Sequence, residues 1–164
     1  MRLIVLSLLL LIFLSCPIQM FPQSNPNSIY LEFLGNGMLY SINYDRMVAY
    51  NFGGKIGLSY LSFHKGLYFE GIKTVIFPIS VNYFIGEGSS KLELGAGITL
   101  VNGTYNSWQL DHSWGIVFNF LNIGFRYQPT NGGFMFRIFY SPMYVSFGSG
   151  GYHHWGGLSF GQSF

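Results

Sequence analysis

Through KLELGAGITL, residues 91–100, apolar and polar positions alternate without a break. Leu92, Leu94, Ala96, Ile98 and Leu100 fall on one side; Lys91, Glu93, Gly95, Gly97 and Thr99 fall on the other. A period of two is the mark of a β-strand with unlike faces. The plan recurs along the chain. In KIGLSY, Ile56, Leu58 and Tyr60 oppose Lys55, Gly57 and Ser59. In TVIFPISVNY, Val75, Phe77, Ile79, Val81 and Tyr83 oppose Thr74, Pro78, Ser80 and Asn82. LNIGFRY sets Leu121, Ile123, Phe125 and Tyr127 against Asn122, Gly124 and Arg126. FMFRIFYS sets Phe134, Phe136, Ile138 and Tyr140 against Met135, Arg137, Phe139 and Ser141. The last residues, WGGLSFGQSF, put Leu158, Phe160 and Phe164 on one face and Gly157, Ser159, Gly161 and Ser163 on the other. Strands built this way make an all-β chain.

Two interruptions are expected to bend the pattern. Phe118 and Phe120 are out of phase with the rest of their strand, which predicts a bulge near Asn119. Pro78 has no N–H to give to a ladder, which predicts a bulge or break there.

Turn residues divide the strands. Asn36-Gly37 between SIYLEFL and MLYSINY is a hairpin signal, and GEGSS and PTNGG are short and turn-like. Three connections are longer: around 64–72, 106–113 and 148–154. Counting the Asn36-Gly37 reversal gives eight strands. Reading 28–45 as one kinked strand gives seven. Eight puts both termini on one side and is the expected number, with the first two strands unusually short.

Alternation alone does not say which face is inside. Charge does. Asp, Glu, Lys and Arg make up only 9% of the chain, against about 25% in a typical soluble domain. So few charges cannot coat a soluble barrel. The uniformly large apolar face suits lipid, which asks for no polar partner. Glu32, Lys55, Lys91, Glu93, Arg126 and Arg137 all fall on the opposite, glycine- and serine-rich face. An Arg or Lys turned to mid-membrane lipid costs about 2–4 kcal/mol, so these six are expected in a lumen as a charge network. The expected architecture is an eight-stranded antiparallel transmembrane β-barrel. It must close, because an open sheet edge in hydrocarbon leaves backbone groups unpaired. Eight strands leave room only for side chains, so the lumen is expected to be a closed, packed polar core. Tyr44, Tyr60, Tyr83, Tyr127, Trp114 and Trp155 are expected in interfacial girdles.

Residues 1–24 read as an export signal. Met1-Arg2 supplies a positive charge, and Leu3 to Leu14 is an apolar run interrupted by Ser7. That run is too short to span a bilayer and suits a signal core. Cleavage is expected near Ser24, leaving 25–164 as the barrel; an uncleaved anchor is the alternative. Cys16, the one cysteine, follows Leu14-Ser15 as in a lipoprotein box, though Phe13 stands where leucine is preferred. With one cysteine there is no intrachain disulfide. A formal charge of +2 gives no basic face for nucleic acid.

The leader, the alternating strands and the final phenylalanine together resemble small bacterial outer-membrane β-barrel proteins of the eight-stranded type. SIYLEFLGNGMLYSINYDR, KLELGAG, GFRYQP and GGFMFRIFYSP are similar to such a group, and the likeness covers most of 28–164. The resemblance implies location in the cell outer membrane. It also implies that the barrel assembly machinery reads the last strand, with Leu158, Phe160 and Phe164 as the assembly signal. Gln162 departs from that pattern, since an apolar residue is usual there.

The expected function is a non-enzymatic outer-membrane barrel, a monomer whose partners are outer-membrane lipids and, during biogenesis, the assembly machinery. Its role would be envelope integrity or surface interaction through the longer loops. No cofactor is expected. His64, His112, His153 and His154 fall in those loops. Only His153-His154 are close in sequence, and neighbours seldom reach one metal ion, so no metal site is assigned. The first alternative is a lipid A-modifying enzyme of deacylase or acyltransferase type, because Asp111-His112-Ser113 contains the right residue types. The second is a soluble or lipid-anchored periplasmic barrel that binds an apolar ligand.

Overall fold

Each alternating stretch becomes one stave of a closed wall. The computed structural model describes residues 26–49, 51–63, 72–105, 110–147 and 150–164. The strands are β1 (Asn27–Leu34), β2 (Tyr40–Ala49), β3 (Phe52–Phe63), β4 (Ile72–Ile85), β5 (Ser90–Tyr105), β6 (Leu110–Tyr127), β7 (Gly133–Tyr140), β8 (Met143–Val145), β9 (Gly151–His153) and β10 (Gly156–Ser163). β7 and β8 both pair with β6 and form one stave interrupted at Ser141-Pro142. β9 and β10 form another, paired with β8 and β7 in turn. The result is an eight-stranded antiparallel barrel. The segment 1–24, including Cys16, lies outside the described residues.

Closure is made by β1 and β10, in register from Ser28 opposite Ser163 to Leu34 opposite Gly157. One step past the Ser28–Ser163 pair, Asn27 N–H donates to the Phe164 carbonyl (3.1 Å) and Phe164 N–H to the Asn27 carbonyl (2.9 Å). The chain's final peptide is thus part of the seam. The start of β1 and the end of β10 lie at one end of the barrel, called here the terminal end.

The staves are unequal. β1 has 8 residues and β2 has 10, while β5 has 16 and β6 has 18. At the far end the β5–β6 connection shrinks to 106–109, because the strands run further than the polar stretch 106–113 suggests.

The β6 bulge falls at Phe120-Leu121. Gly95 pairs with Asn122 and Gly97 with Asn119, so two residues of β6 face Ala96. Both bulge residues point outward, at 57% and 40% exposure, and this restores the inward phase for Asn122, Gly124 and Arg126. Pro78 behaves differently from expectation. β4 is continuous, and its register with β5 passes through Pro78 opposite Thr99 unbroken. On the other side, pairing with β3 lapses opposite Gly57 and Leu58 and resumes at Ser59 without a shift. One missing N–H opens the ladder locally; with β5 holding the other edge, the strand neither bulges nor breaks.

Candidate functional site in the barrel lumen

Inward positions fill the lumen in layers. At the terminal end lie Met47, Phe84 and Met135, all buried. Lys91 joins them, its Nζ 3.9 Å from the Met47 sulfur and 6.0 Å from the centre of the Phe84 ring.

Above them is a charged layer. Glu32 of β1 binds Lys55 of β3 (3.2 Å) and Arg137 of β7 (3.0 Å). Arg137 also binds Glu93 of β5 at 2.8 Å. Glu93 lies 3.6 Å from Arg126 of β6, which binds Asp45 of β2 at 2.9 Å. Three cations and three carboxylates therefore alternate across six staves. The rest of Arg126 is held by Gln128, which accepts from Nε at 2.8 Å, and by Ser28, whose oxygen accepts from Nη2 at 3.3 Å. Arg137 stacks over the Phe139 ring at 3.7 Å and Arg126 over Phe84 at 5.0 Å, within cation–π reach. Glu32, Asp45, Arg126 and Arg137 are each 0% exposed, so protein groups rather than water compensate their charges. Buried charges persist only with such pairing.

Five of the six lumen residues read from the sequence, Glu32, Lys55, Glu93, Arg126 and Arg137, meet in this layer. Lys91 faces the same lumen nearer the terminal end. Asp45 is the member that sequence reading missed. Its signal was available: Ser41, Asn43 and Asp45 continue one alternating face of β2.

The third layer is the β1–β2 reversal itself. Gly35–Gly37 forms a short 3-10 turn and is buried inside the barrel. Asn36 N–H donates to Glu32 Oε1 (2.9 Å), Thr99 Oγ1 donates to the Asn36 carbonyl (3.1 Å), and Ser141 Oγ donates to Asn36 Oδ1 (3.0 Å). Trp155 Nε1 donates to the Gly35 carbonyl (2.9 Å). The turn is a stopper tied to several staves.

Beyond it the lining changes character. Leu61, Ile76, Val101, Val117 and Met143 form a buried apolar cluster, with Val145, Phe147 and Trp155 packed against it. The packed polar core expected from the sequence is corrected in the far half of the lumen. The far half of the lumen is apolar, because the inward phase of β3, β4, β5 and β6 passes from polar to aliphatic residues beyond Ser59, Pro78, Thr99 and Asn119. Trp155 is corrected with it: expected in an outer girdle, it turns inward onto the stopper. Tyr60, Tyr83, Tyr127 and Trp114 are exposed on the outside, and Tyr44 is partly covered there with its hydroxyl on Asn27 Oδ1 (2.8 Å).

The outer wall is predominantly apolar. Among the described strand residues whose side chains are placed, Arg46 and Lys73 are the charged residues off the inner face. Each sits near a strand end, Arg46 at the terminal end and Lys73 at the far end. Leu158, Phe160 and Phe164 are exposed on this wall, as is Gln162 between the last two. His154 accepts or donates at Nδ1 with the Tyr140 hydroxyl, and His153 is exposed on β9. His64 and the side chains of Asp111, His112 and Ser113 lie outside the described residues; the backbone of the last three belongs to β6 rather than to a loop.

A closed eight-stave wall with an apolar exterior and a charged interior is the architecture of an outer-membrane-type β-barrel, and this chain has that fold. It is similar to the N-terminal β-barrel domain of Pseudomonas aeruginosa OprF, with 16% identity and a TM-score of 0.58 over 84% of this chain and 95% of that one. A second similar structure is Ail, the attachment invasion locus protein of Yersinia pestis, with 13% identity and a TM-score of 0.39 over 84% of this chain and 91% of that one. No family model and no curated protein matches the sequence.

Proposed function

We propose that the protein is a non-enzymatic, monomeric integral protein of the bacterial outer membrane, with a sealed lumen, that serves envelope integrity or surface contact through its far-end loops. The distribution of charge carries this reading. Among the described residues seven buried charged side chains, Glu32, Asp45, Lys55, Lys91, Glu93, Arg126 and Arg137, face inward, whereas the outer wall bears large exposed apolar side chains from Ile29 to Phe164. In water that wall would be a far larger apolar patch than soluble monomers tolerate. In lipid it is the favourable surface, and Arg46 and Lys73 fall where headgroups would meet them. The fold shared with the OprF barrel domain supports the same location. The far-end loops face the cell exterior in this reading, and the terminal end faces the periplasm.

Fractionation combined with gel mobility before and after heating tests it. The expected result is recovery with outer membranes and a band that shifts on heating. Recovery as a soluble periplasmic protein overturns both the location and the role.

A further inference from the structure

The Pro78 lapse has a counterpart on the outer wall. Where β3 and β4 part, an apolar groove of about 460 Å³ crosses the barrel from β1 to β4. Its sides are Ile29, Ile42, Ile56, Leu58, Phe77 and Ile79. Asn43 and Gly57 also line it, although Asn43 faces the lumen and is 1% exposed. The groove's volume lies at the small end of ligand sites, about 300–1,000 Å³.

The groove has one polar group on its terminal-end side, between Ile29 and Ile56. Tyr44 also lines it, and its hydroxyl donates to Asn27 at the periplasmic rim. Arg46 is the next outward residue of β2 in that direction, between inward Asp45 and Met47. A guanidinium at headgroup level is suited to forked hydrogen bonding with a phosphate. Arg46 thus lies one outward position rimward of the groove's Tyr44 side.

We propose that this groove is a binding site for one acyl chain of an anionic glycerophospholipid of the periplasmic leaflet, with its phosphate on Arg46. The inference rests on the membrane location proposed above. The chain fills the indentation left by the open ladder, and Arg46 selects for a negatively charged headgroup.

The test is native mass spectrometry of the protein taken in mild detergent from vesicles of equal parts phosphatidylethanolamine and phosphatidylglycerol. Wild type is expected to retain one phospholipid, enriched in phosphatidylglycerol. Ile42→Trp, which fills the groove from its rim, is expected to lower retention about tenfold, the equivalent of ~1.4 kcal/mol. Ile79→Phe does the same from the opposite side and guards against a folding defect in the first variant. Arg46→Gln abolishes the preference for phosphatidylglycerol. Ile138→Trp, on the distant β7 wall, retains lipid as wild type does. A wild type that floats with the vesicles and shifts on heating but carries no lipid overturns the groove and leaves the membrane location standing. Equal retention in wild type, Ile42→Trp and Ile79→Phe overturns it as well. Failure of wild type to float with the vesicles overturns both readings.

Discussion

Arg126 and Asp45 stand on opposite walls of the barrel, with β3, β4 and β5 between them on one side and β1, β10 and β7 on the other, yet their Nη1 and Oδ2 atoms are 2.9 Å apart. The pair is a strut across the full width of the lumen. Removing one partner of a buried ion pair costs about 3–5 kcal/mol, because the other charge is left uncompensated. Asp45→Asn is expected at the lower end, about 3 kcal/mol, since Glu93 remains 3.6 Å from the same guanidinium. Replacing both partners, as Asp45→Leu with Arg126→Met, is expected to recover most of the loss. The midpoint of urea unfolding from detergent micelles, followed by heat-modifiable mobility, measures both.

The stopper is the second point of test. A Cβ on Gly35 would lie 2.6 Å from the Phe139 ring and 2.7 Å from Glu32 Oε1, so Gly35→Val has no room inside the barrel. The turn is expected to leave its seat and expose the charged layer from the far end. In planar bilayers wild type is expected to show no steady channel, and Gly35→Val a small, noisy conductance. A silent Gly35→Val would mean that another layer seals the lumen.

Backbone strain flanks the same turn. Leu34 has φ 60° and ψ −141°, and Met38 has φ 69° and ψ −96°. Side-chain-bearing residues in such regions cost about 1–3 kcal/mol each and persist where their surroundings hold them. The four hydrogen bonds to Gly35 and Asn36 supply that hold. Met38→Gly is expected to stabilise the barrel by about 1 kcal/mol, read as a later urea midpoint.

At the chain end, side chain and backbone can be separated. Phe164 exchanges two backbone hydrogen bonds with Asn27 while its ring is exposed outside. Phe164→Ala keeps the seam and removes the ring; deleting Phe164 removes both. If the ring is the assembly signal, both variants lower the fraction of assembled barrel in cells. If only the deletion does, the seam matters and the ring does not. Gln162→Tyr is expected to raise assembly or leave it unchanged.

Much of this structure could be read from local pattern. Leu92 to Leu100 and Phe134 to Tyr140 show their outward faces by period alone, since a strand's side chains must alternate. The bulge at Phe120-Leu121 shows as a phase slip. The reversal at Asn36-Gly37 was legible as a turn, but not as a stopper, because its seat is made by Glu32, Thr99, Ser141 and Trp155, residues far apart in the chain. Asp45 was legible as an inward position by the alternation of Ser41, Asn43 and Asp45, but its partner was not, because Arg126 meets it only across the lumen.

The sequence by itself determined that the chain is all-β and that its strands have one apolar face and one face bearing nearly all the charge; it left seven or eight as the number of strands. Those properties depend on neighbours two residues apart. Only the tertiary structure decided which charges meet, that the far lumen is apolar, that Trp155 turns inward, and that Pro78 leaves a local lapse in one ladder instead of a break. Each of these depends on what stands across the barrel or in the adjoining stave, and closure of the wall alone brings those groups together.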